Sequence, residues 1–300
     1  MISVPYHLLD VFTDTQFEGN PLAVVIDAPP LTDGQMARIA GEFNLSETIF
    51  LTASGADTWT TRIFTPSQEL PFAGHPTVGA AVALASLGHA TREGDDASIV
   101  LQERAGDVPV DIVFDGDRVV SATFTAPRPP ELVHALSGDD VAVVLASLGL
   151  EPGDALNALP MGVWSAGVPF TIVPVGSLDA LGRASVDGAT LRSASADVAR
   201  FLYVVTPGSA HGDHWRARMF ATDLGIAEDP ATGGAACAFA GLLATVAADG
   251  GASWLVEQGV EMGRRSLLDL GATVRANAAV AARLGGSAVA VGEGSLRLAE

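Results

Sequence analysis

The sequence predicts an α+β protein of two pseudo-symmetric, barrel-like lobes, each a curved, mostly antiparallel sheet around a central helix. Three observations carry that expectation. First, the chain repeats itself in order. Trp59-Thr60-Thr61-Arg62-Ile63-Phe64 returns as Trp215-Arg216-Ala217-Arg218-Met219-Phe220, His75-Pro76-Thr77-Val78-Gly79-Ala80-Ala81 as Asp229-Pro230-Ala231-Thr232-Gly233-Gly234-Ala235, and Gly19-Asn20-Pro21-Leu22-Ala23-Val24-Val25 as Gly167-Val168-Pro169-Phe170-Thr171-Ile172-Val173, at offsets of 148 to 156 residues. Second, two proline-led segments built of Ala, Gly, Val, Leu and Phe have almost no polar face, and a helix apolar on all sides is a buried one. Third, strand-like stretches precede and follow both segments, so a sheet curved around each helix can bury it. A chain of 300 residues with 48% hydrophobic content favours two domains over one. We divide it into lobes 1–126 and 127–300, with a return of the final strands to the first lobe left open.

The first lobe opens with short strands at His7–Phe12, Leu22–Ile26 and Thr48–Leu51, with a helix from Thr32 or Asp33 to about Phe43 between the last two. Trp59–Phe64 alternates as a strand does. Pro76 then opens a helix to about Leu87, stopped by Gly88, the expected proline-first, glycine-last asymmetry. Strands follow at Ser98–Gln102, Val108–Phe114 and Val119–Phe124, the last two joined by an Asp115-Gly116 hairpin turn. Ala126-Pro127-Arg128-Pro129-Pro130 is a stiff, extended linker.

The second lobe repeats the plan. A helix near Asp139–Leu148 precedes strands Phe170–Val175, Phe201–Val205 and Trp215–Phe220. A helix from Pro230 to about Ala247 ends at Asp249-Gly250-Gly251. Strands and turns at Trp254–Gln258, Leu267–Leu270, Thr273–Arg283 and Ala288–Leu298 complete it.

Charge and composition exclude several functions. The formal charge of −19 leaves no basic face for nucleic acid, whose binding needs counterion release, and it repels anionic lipid headgroups. All 16 cationic residues are arginines. Without a lysine amine there is no pyridoxal Schiff base, no lysine carbanion catalyst and no Walker-type phosphate loop. Arginine stays protonated and replaces lysine in none of them. The single cysteine, Cys237, precludes disulfides within the chain and is read as a buried, inert thiol. The start of the chain lacks the pattern of a secretory leader, and no apolar stretch reaches the roughly 20 residues of a membrane span. The expected location is cytoplasmic.

Three residues could move a proton. His75 and Asp229 each precede the proline of an apolar helix, in places the repeat makes equivalent. Asp229 also fits an ordinary helix N-cap, and His75 a turn residue satisfied by backbone. Glu47, in Asn44-Leu45-Ser46-Glu47, fits a capping box. It also fits a strand entrance beside Ile49 and Phe50, where apolar surroundings would raise its pKa toward neutrality. Each helix start offers unpaired N–H groups for a carboxylate. Such an end is worth ~0.3–1 kcal/mol, too little for catalysis without a proton-transferring side chain. His211-Gly212-Asp213-His214 has no further ligand pattern, and no metal is expected. Glu69 and Glu228 are read as solvated or turn-stabilising.

The sequence resembles the phenazine-biosynthesis PhzF-like family. The resemblance rests on Asp10-Val11-Phe12-Thr13 through Gly19-Asn20-Pro21, on Asn44-Leu45-Ser46-Glu47-Thr48, and on Phe64-Thr65-Pro66 through Glu69-Leu70-Pro71-Phe72-Ala73-Gly74-His75-Pro76-Thr77. It continues in Glu228-Asp229-Pro230-Ala231-Thr232-Gly233 and in Gln258-Gly259 with Met262-Gly263-Arg264. It covers nearly the whole chain. The resemblance implies a diaminopimelate-epimerase-like fold, no cofactor and a homodimer. It implies isomerisation of a small carboxylate-bearing compound, of the trans-2,3-dihydro-3-hydroxyanthranilate type. Glu47 matches the family's acid/base glutamate, and His75 and Asp229 match residues that position substrate and assist the proton relay. Asn20, Gly74, Gly233 and Gly234 fall at substrate-binding places, with the carboxylate resting on N–H groups near Gly74 and Gly233.

Two departures stand out. Ala73 occupies the place of a racemase cysteine, which excludes two-thiol racemisation. Gly234 stands where the family usually has a serine, so a hydroxyl is missing. The competing readings are an amino-acid epimerase or racemase, and a carboxylate-binding protein without turnover.

Overall fold

A computed structural model describes residues 2–209, 212–222 and 226–298. The chain falls into two compact units, one of residues 1–127 with 285–300 and one of residues 128–284. In chain order the first unit contains β1 (Ile2–Val11), β2 (Asn20–Ile26), α1 (Asp33–Phe43), β3 (Glu47–Gly55), β4 (Thr58–Phe64), β5 (Glu69–Leu70), α2 (Gly74–Ser86), β6 (Arg92–Glu93), β7 (Asp96–Glu103), β8 (Gly106–Asp115) and β9 (Arg118–Thr125). The second contains β10 (Glu131–Ala135), α3 (Gly138–Ser147), β11 (Gly162–Ser165), β12 (Pro169–Pro174), α4 (Leu178–Arg183), α5 (Gly188–Leu191), β13 (Leu202–Pro207), β14 (His214–Ala221), β15 (Ile226–Asp229), α6 (Gly233–Ala244), β16 (Gly250–Gln258), β17 (Ser266–Arg275) and β18 (Ala278–Gly286). The last strand, β19 (Ala288–Leu298), belongs to the first unit.

Strand pairing shows the duplication directly. In the first unit β1–β2 is antiparallel, β2–β3 parallel, β3–β4 and β4–β5 antiparallel, β4–β7 parallel and β7–β8 antiparallel. In the second, β11–β12, β12–β13, β13–β14, β14–β15, β14–β16 and β16–β17 follow the same sequence of senses. The echoed segments Trp59–Phe64 and Trp215–Phe220 are β4 and β14. The echo at Gly19 and Gly167 leads into β2 and β12. The two-lobed α+β expectation holds.

Each unit wraps its sheet around one helix. α2 touches β1, β2, β3, β7, β8, β9 and β19, and every residue from Gly74 to Ala85 is buried. α6 touches β10, β11, β12 and β17, and is buried at Gly233 and from Ala235 to Ala244. A helix enclosed on all sides needs small residues where strands come close. A Cβ at Gly79 would lie 2.5 Å from Leu22 Cδ2 and 2.7 Å from Val11 Cγ2. One at Gly241 would lie 2.7 Å from the Trp164 ring and 2.8 Å from Pro130. Overpacking of that kind costs roughly 1–3 kcal/mol.

α1 spans Asp33–Phe43 as expected, opened by a Thr32–Gln35 capping box and closed by Asn44 in the left-handed conformation. The capping-box reading of Asn44 and Glu47 is therefore overturned: Asn44 ends a helix and Glu47 starts a strand. Both central helices also start elsewhere than expected. α2 begins at Gly74, two residues before Pro76, and α6 at Gly233, three after Pro230. Proline is tolerated throughout the first helical turn, where no N–H has a partner, so its position alone does not mark the first residue.

Candidate active site

In the first unit β3 carries Glu47 at its entrance, in register with Leu22 on β2. Leu22 reaches toward α2 at Gly79, so Glu47 and Asn20, two residues before Leu22 on the same strand face, sit on the side facing that helix. Glu47 Oε2 lies 2.7 Å from His75 Nδ1. Their side chains are 17% and 3% exposed. With Nδ1–H donating to the carboxylate, the imidazole keeps a lone pair on Nε2, which is buried with no hydrogen-bond partner among the described residues. α2 has no side-chain cap. Since Pro76 has no N–H, the open donors of its first turn are those of Gly74 and His75.

In the second unit Asp229 does not stand at the helix start. It ends β15, in register with Met219 of β14, and it is buried. Its Oδ2 accepts a 2.5 Å hydrogen bond from Thr232 Oγ1. Thr232 is the N-cap residue of α6, again without a side-chain cap bond, so the N–H groups of Gly233 and Gly234 open that helix. Gln258 Nε2 donates to the Asp229 carbonyl at 2.8 Å and to Thr232 Oγ1 at 3.1 Å, while its Oε1 accepts from Thr232 N–H at 3.2 Å.

The expected equivalence of His75 and Asp229 fails. Ile63 pairs with Leu70, and Met219 with Asp229; Ile63 and Met219 correspond in the repeat, so the counterpart of Asp229 is Leu70. Counting from the helix starts, His75 corresponds to Gly234. Thr48 pairs with Phe64 and Leu202 with Phe220, which makes Phe201 the counterpart of Glu47. The first unit thus holds Glu47, Leu70 and His75 where the second holds Phe201, Asp229 and Gly234. The sequence echo around the two prolines was out of step with the fold.

A matched pair of clamps holds the hairpins that lead into these residues. Arg62 bonds Glu69 through Nε and, at 2.9 Å, through Nη2. Arg218 bonds Glu228 through both nitrogens at 2.8 Å. The guanidinium carbons lie 5.4 Å from the Phe64 ring and 4.9 Å from the Phe220 ring. Hydrogen bonding to Glu69 raises the pKa of Arg62, and hydrogen bonding to Glu228 raises that of Arg218. Glu69 and Glu228 are therefore turn-stabilising but not solvated. Removing one partner of such a partly buried pair leaves a charge uncompensated, at a cost of up to roughly 3–5 kcal/mol.

Reasoning from sequence missed three polar groups. Glu103 is buried at the end of β7, bonded to Thr77 Oγ1 at 2.7 Å. The alternation Ala97, Ile99, Leu101, Glu103 puts it on the inward face, a signal readable in the sequence. Thr232 and Gln258 complete the Asp229 network. Cys237 is buried, and burial pushes its thiol up to about 12, the inert state expected. Burial, with the nearby Cys237 and Asp229, also raises Tyr203. His211 of the weighed metal motif lies outside the described residues, while His214 faces Glu257 at 3.5 Å. Among the described residues no group of three or more His, Cys, Asp or Glu could hold a metal, and no helix is long and apolar enough to cross a membrane.

The family model of phenazine biosynthesis-like proteins matches residues 9–294. The chain belongs to this PhzF-type family, a family of isomerases. An uncharacterized isomerase of Mesorhizobium japonicum is 40% identical, covering 97% of this chain and 98% of its own. The trans-2,3-dihydro-3-hydroxyanthranilate isomerase of Pseudomonas fluorescens is 34% identical over 98% of this chain and 99% of its own. A PhzF-family phenazine biosynthesis protein of Bacillus anthracis superposes with a TM-score of 0.85 at 26% identity, covering 99% of this chain and all of that one. A hydroxyproline epimerase of Agrobacterium vitis shares the fold, with a TM-score of 0.65 at 16% identity over 99% of this chain and 94% of its own.

Proposed function

We propose that this PhzF-type isomerase shifts a proton within a small carboxylate-bearing substrate, without a cofactor, and that Glu47 carries the proton. The observation that supports this most is the Glu47–His75 contact of 2.7 Å at the open start of α2. A carboxylate oriented by an imidazole N–H can take a proton from a carbon made acidic by an adjacent conjugated or carboxylate group. The electron pair moves along the conjugated system. The carboxylic acid then returns the proton to a different carbon, so acid and base are restored without net proton loss. In the first unit the N–H groups of Gly74 and His75 suit a substrate carboxylate, with Asn20 a further polar contact, and in the second the N–H groups of Gly233 and Gly234 offer the same chemistry. Asp229, fixed by Thr232, is the second unit's candidate for substrate positioning and proton relay.

The first compound to assay is trans-2,3-dihydro-3-hydroxyanthranilate, named for the Pseudomonas fluorescens relative. In deuterated buffer the wild type should place label on carbon. Glu47→Gln should slow that incorporation by ~10²–10⁴-fold, with ligand affinity largely kept. If Glu47→Gln weakens only binding, or no carbon exchanges with any carboxylate tried, the assignment falls. Gly234 favours a second reading, binding of small carboxylates without turnover, because no hydroxyl is available there. The same wash-in experiment separates the two. A cytoplasmic homodimer belongs to the proposal, and sedimentation of the purified chain tests its oligomeric part.

A further inference from the structure

The duplication makes one buried residue interpretable that the reaction does not use. Thr60 pairs with Gln102 and Arg216 with Glu257, so the next residues, Glu103 and Gln258, hold the same station at the ends of β7 and β16. The N-cap residues Ala73 and Thr232 also correspond. In the second unit the Thr232 N–H donates to Gln258 Oε1. In the first, Thr77 Oγ1 bridges the Ala73 carbonyl and the Glu103 carboxyl. A neutral amide and a carboxyl group thus hold the starts of the two central helices from the same place.

The hydrogen count settles which form of the carboxyl fits. Thr77 Oγ1 lies 2.7 Å from the Ala73 carbonyl and 2.7 Å from Glu103 Oε1. A hydroxyl has one hydrogen, and the Ala73 carbonyl only accepts. Both short contacts are satisfied when Thr77 donates to Ala73 and the carboxylic acid O–H of Glu103 donates to Thr77. An ionised Glu103 would leave one of them as oxygen facing oxygen. It would also bury charge on Oε2, which has no hydrogen-bond partner among the described residues.

We propose that Glu103 is a positioning residue that works as a neutral carboxylic acid, holding the start of α2, and with it His75, as Gln258 holds the start of α6. Burial raises its pKa from 4.5 to about 8. The charged and titratable groups of the neighbouring elements do not substitute for this cause. On α2 there is His75, bonded to Glu47. On β4 there is Arg62, at an outward position and paired with Glu69 and Asp33. Asp107, Asp111 and Asp115 occupy the exposed positions of β8, and Arg104, next in the chain, pairs with Glu69. The effect on turnover rests on the isomerase reading; the protonation state does not.

The test uses the full chain with carbon-13-labelled glutamate. The side-chain carboxyl resonance missing from Glu103→Gln identifies Glu103, and it should titrate near 8 rather than near 4.5. Exchange of the Thr77 amide should stay slow in Glu103→Gln and quicken in Glu103→Ala. Deuterium wash-in by the wild type should fall as pH rises through about 8, and Glu103→Gln should lack that limb. Titration near 4.5, or a Gln variant whose Thr77 amide exchanges as fast as that of Ala, overturns the proposal. If Glu103→Ala does not fold, the wild-type titration decides alone. A wild type that washes in no label removes the isomerase reading and leaves the titration to judge Glu103.

Discussion

Asp229 shows how much a single carboxylate depends on where its strand ends. At a helix N-cap its side chain would serve backbone N–H groups, and replacement would cost ~1 kcal/mol of stability. At the end of β15 it accepts instead from Thr232 Oγ1, with its own carbonyl held by Gln258. An asparagine oxygen can accept the same hydroxyl but does not exchange a proton. Asp229→Asn should therefore lower turnover at least tenfold while shifting unfolding by less than ~1 kcal/mol, measured by deuterium wash-in and urea denaturation on the same samples. Equal losses in both would return Asp229 to a structural role. Glu47 and His75 could be singled out because one precedes an apolar, β-branched run and the other precedes the proline of an apolar helix. Their mutual bond could not, since nothing in a sequence measures a distance between residues 47 and 75.

Among the elements, long periodic segments were readable and short ones were not. α1, β4, β8 and β9 lie within a residue or two of expectation, because their patterning and turn chemistry agree. β10, β11 and β15, of five, four and four residues, are too short to show a period and form by pairing with neighbours. β7 ends on Glu103, one residue beyond the expected strand, and that residue makes the element sensitive to pH. Below 4.5 the folded and unfolded chains both carry its proton. Between 4.5 and about 8 the unfolded chain has released the proton that the folded one keeps. This residue therefore lowers folding stability as pH rises through that window, by up to about 1.4 kcal/mol per unit, and has no further effect above it. Urea titrations of wild type and Glu103→Gln across the window should differ by that slope; parallel curves would show Glu103 to be ordinary.

At the scale of the whole molecule, the duplication was the most legible feature, since three echoes kept their order. Its alignment at the helices was less so. Prolines coincide in sequence where helix starts do not, and only strand register reveals that Asp229 answers to Leu70 and Gly234 to His75. Charge sets another property at this scale. With 16 arginines against 35 carboxylates, acidic groups outnumber the cations that could pair with them. Salt screens the resulting repulsion over a Debye length of about 10 Å at 0.1 M, so raising ionic strength should raise the melting temperature. A fall on adding salt would mean that the arginine clamps outweigh the excess negative charge.

The exchanged stations have a genetic consequence. A gene fusing two copies of the first half, or two of the second, would encode a very similar run of strands and helices. The former would have no counterpart of Asp229, the latter none of Glu47 or His75. The halves are therefore not interchangeable: exchanging one for the other can preserve architecture and still erase the ionisable set.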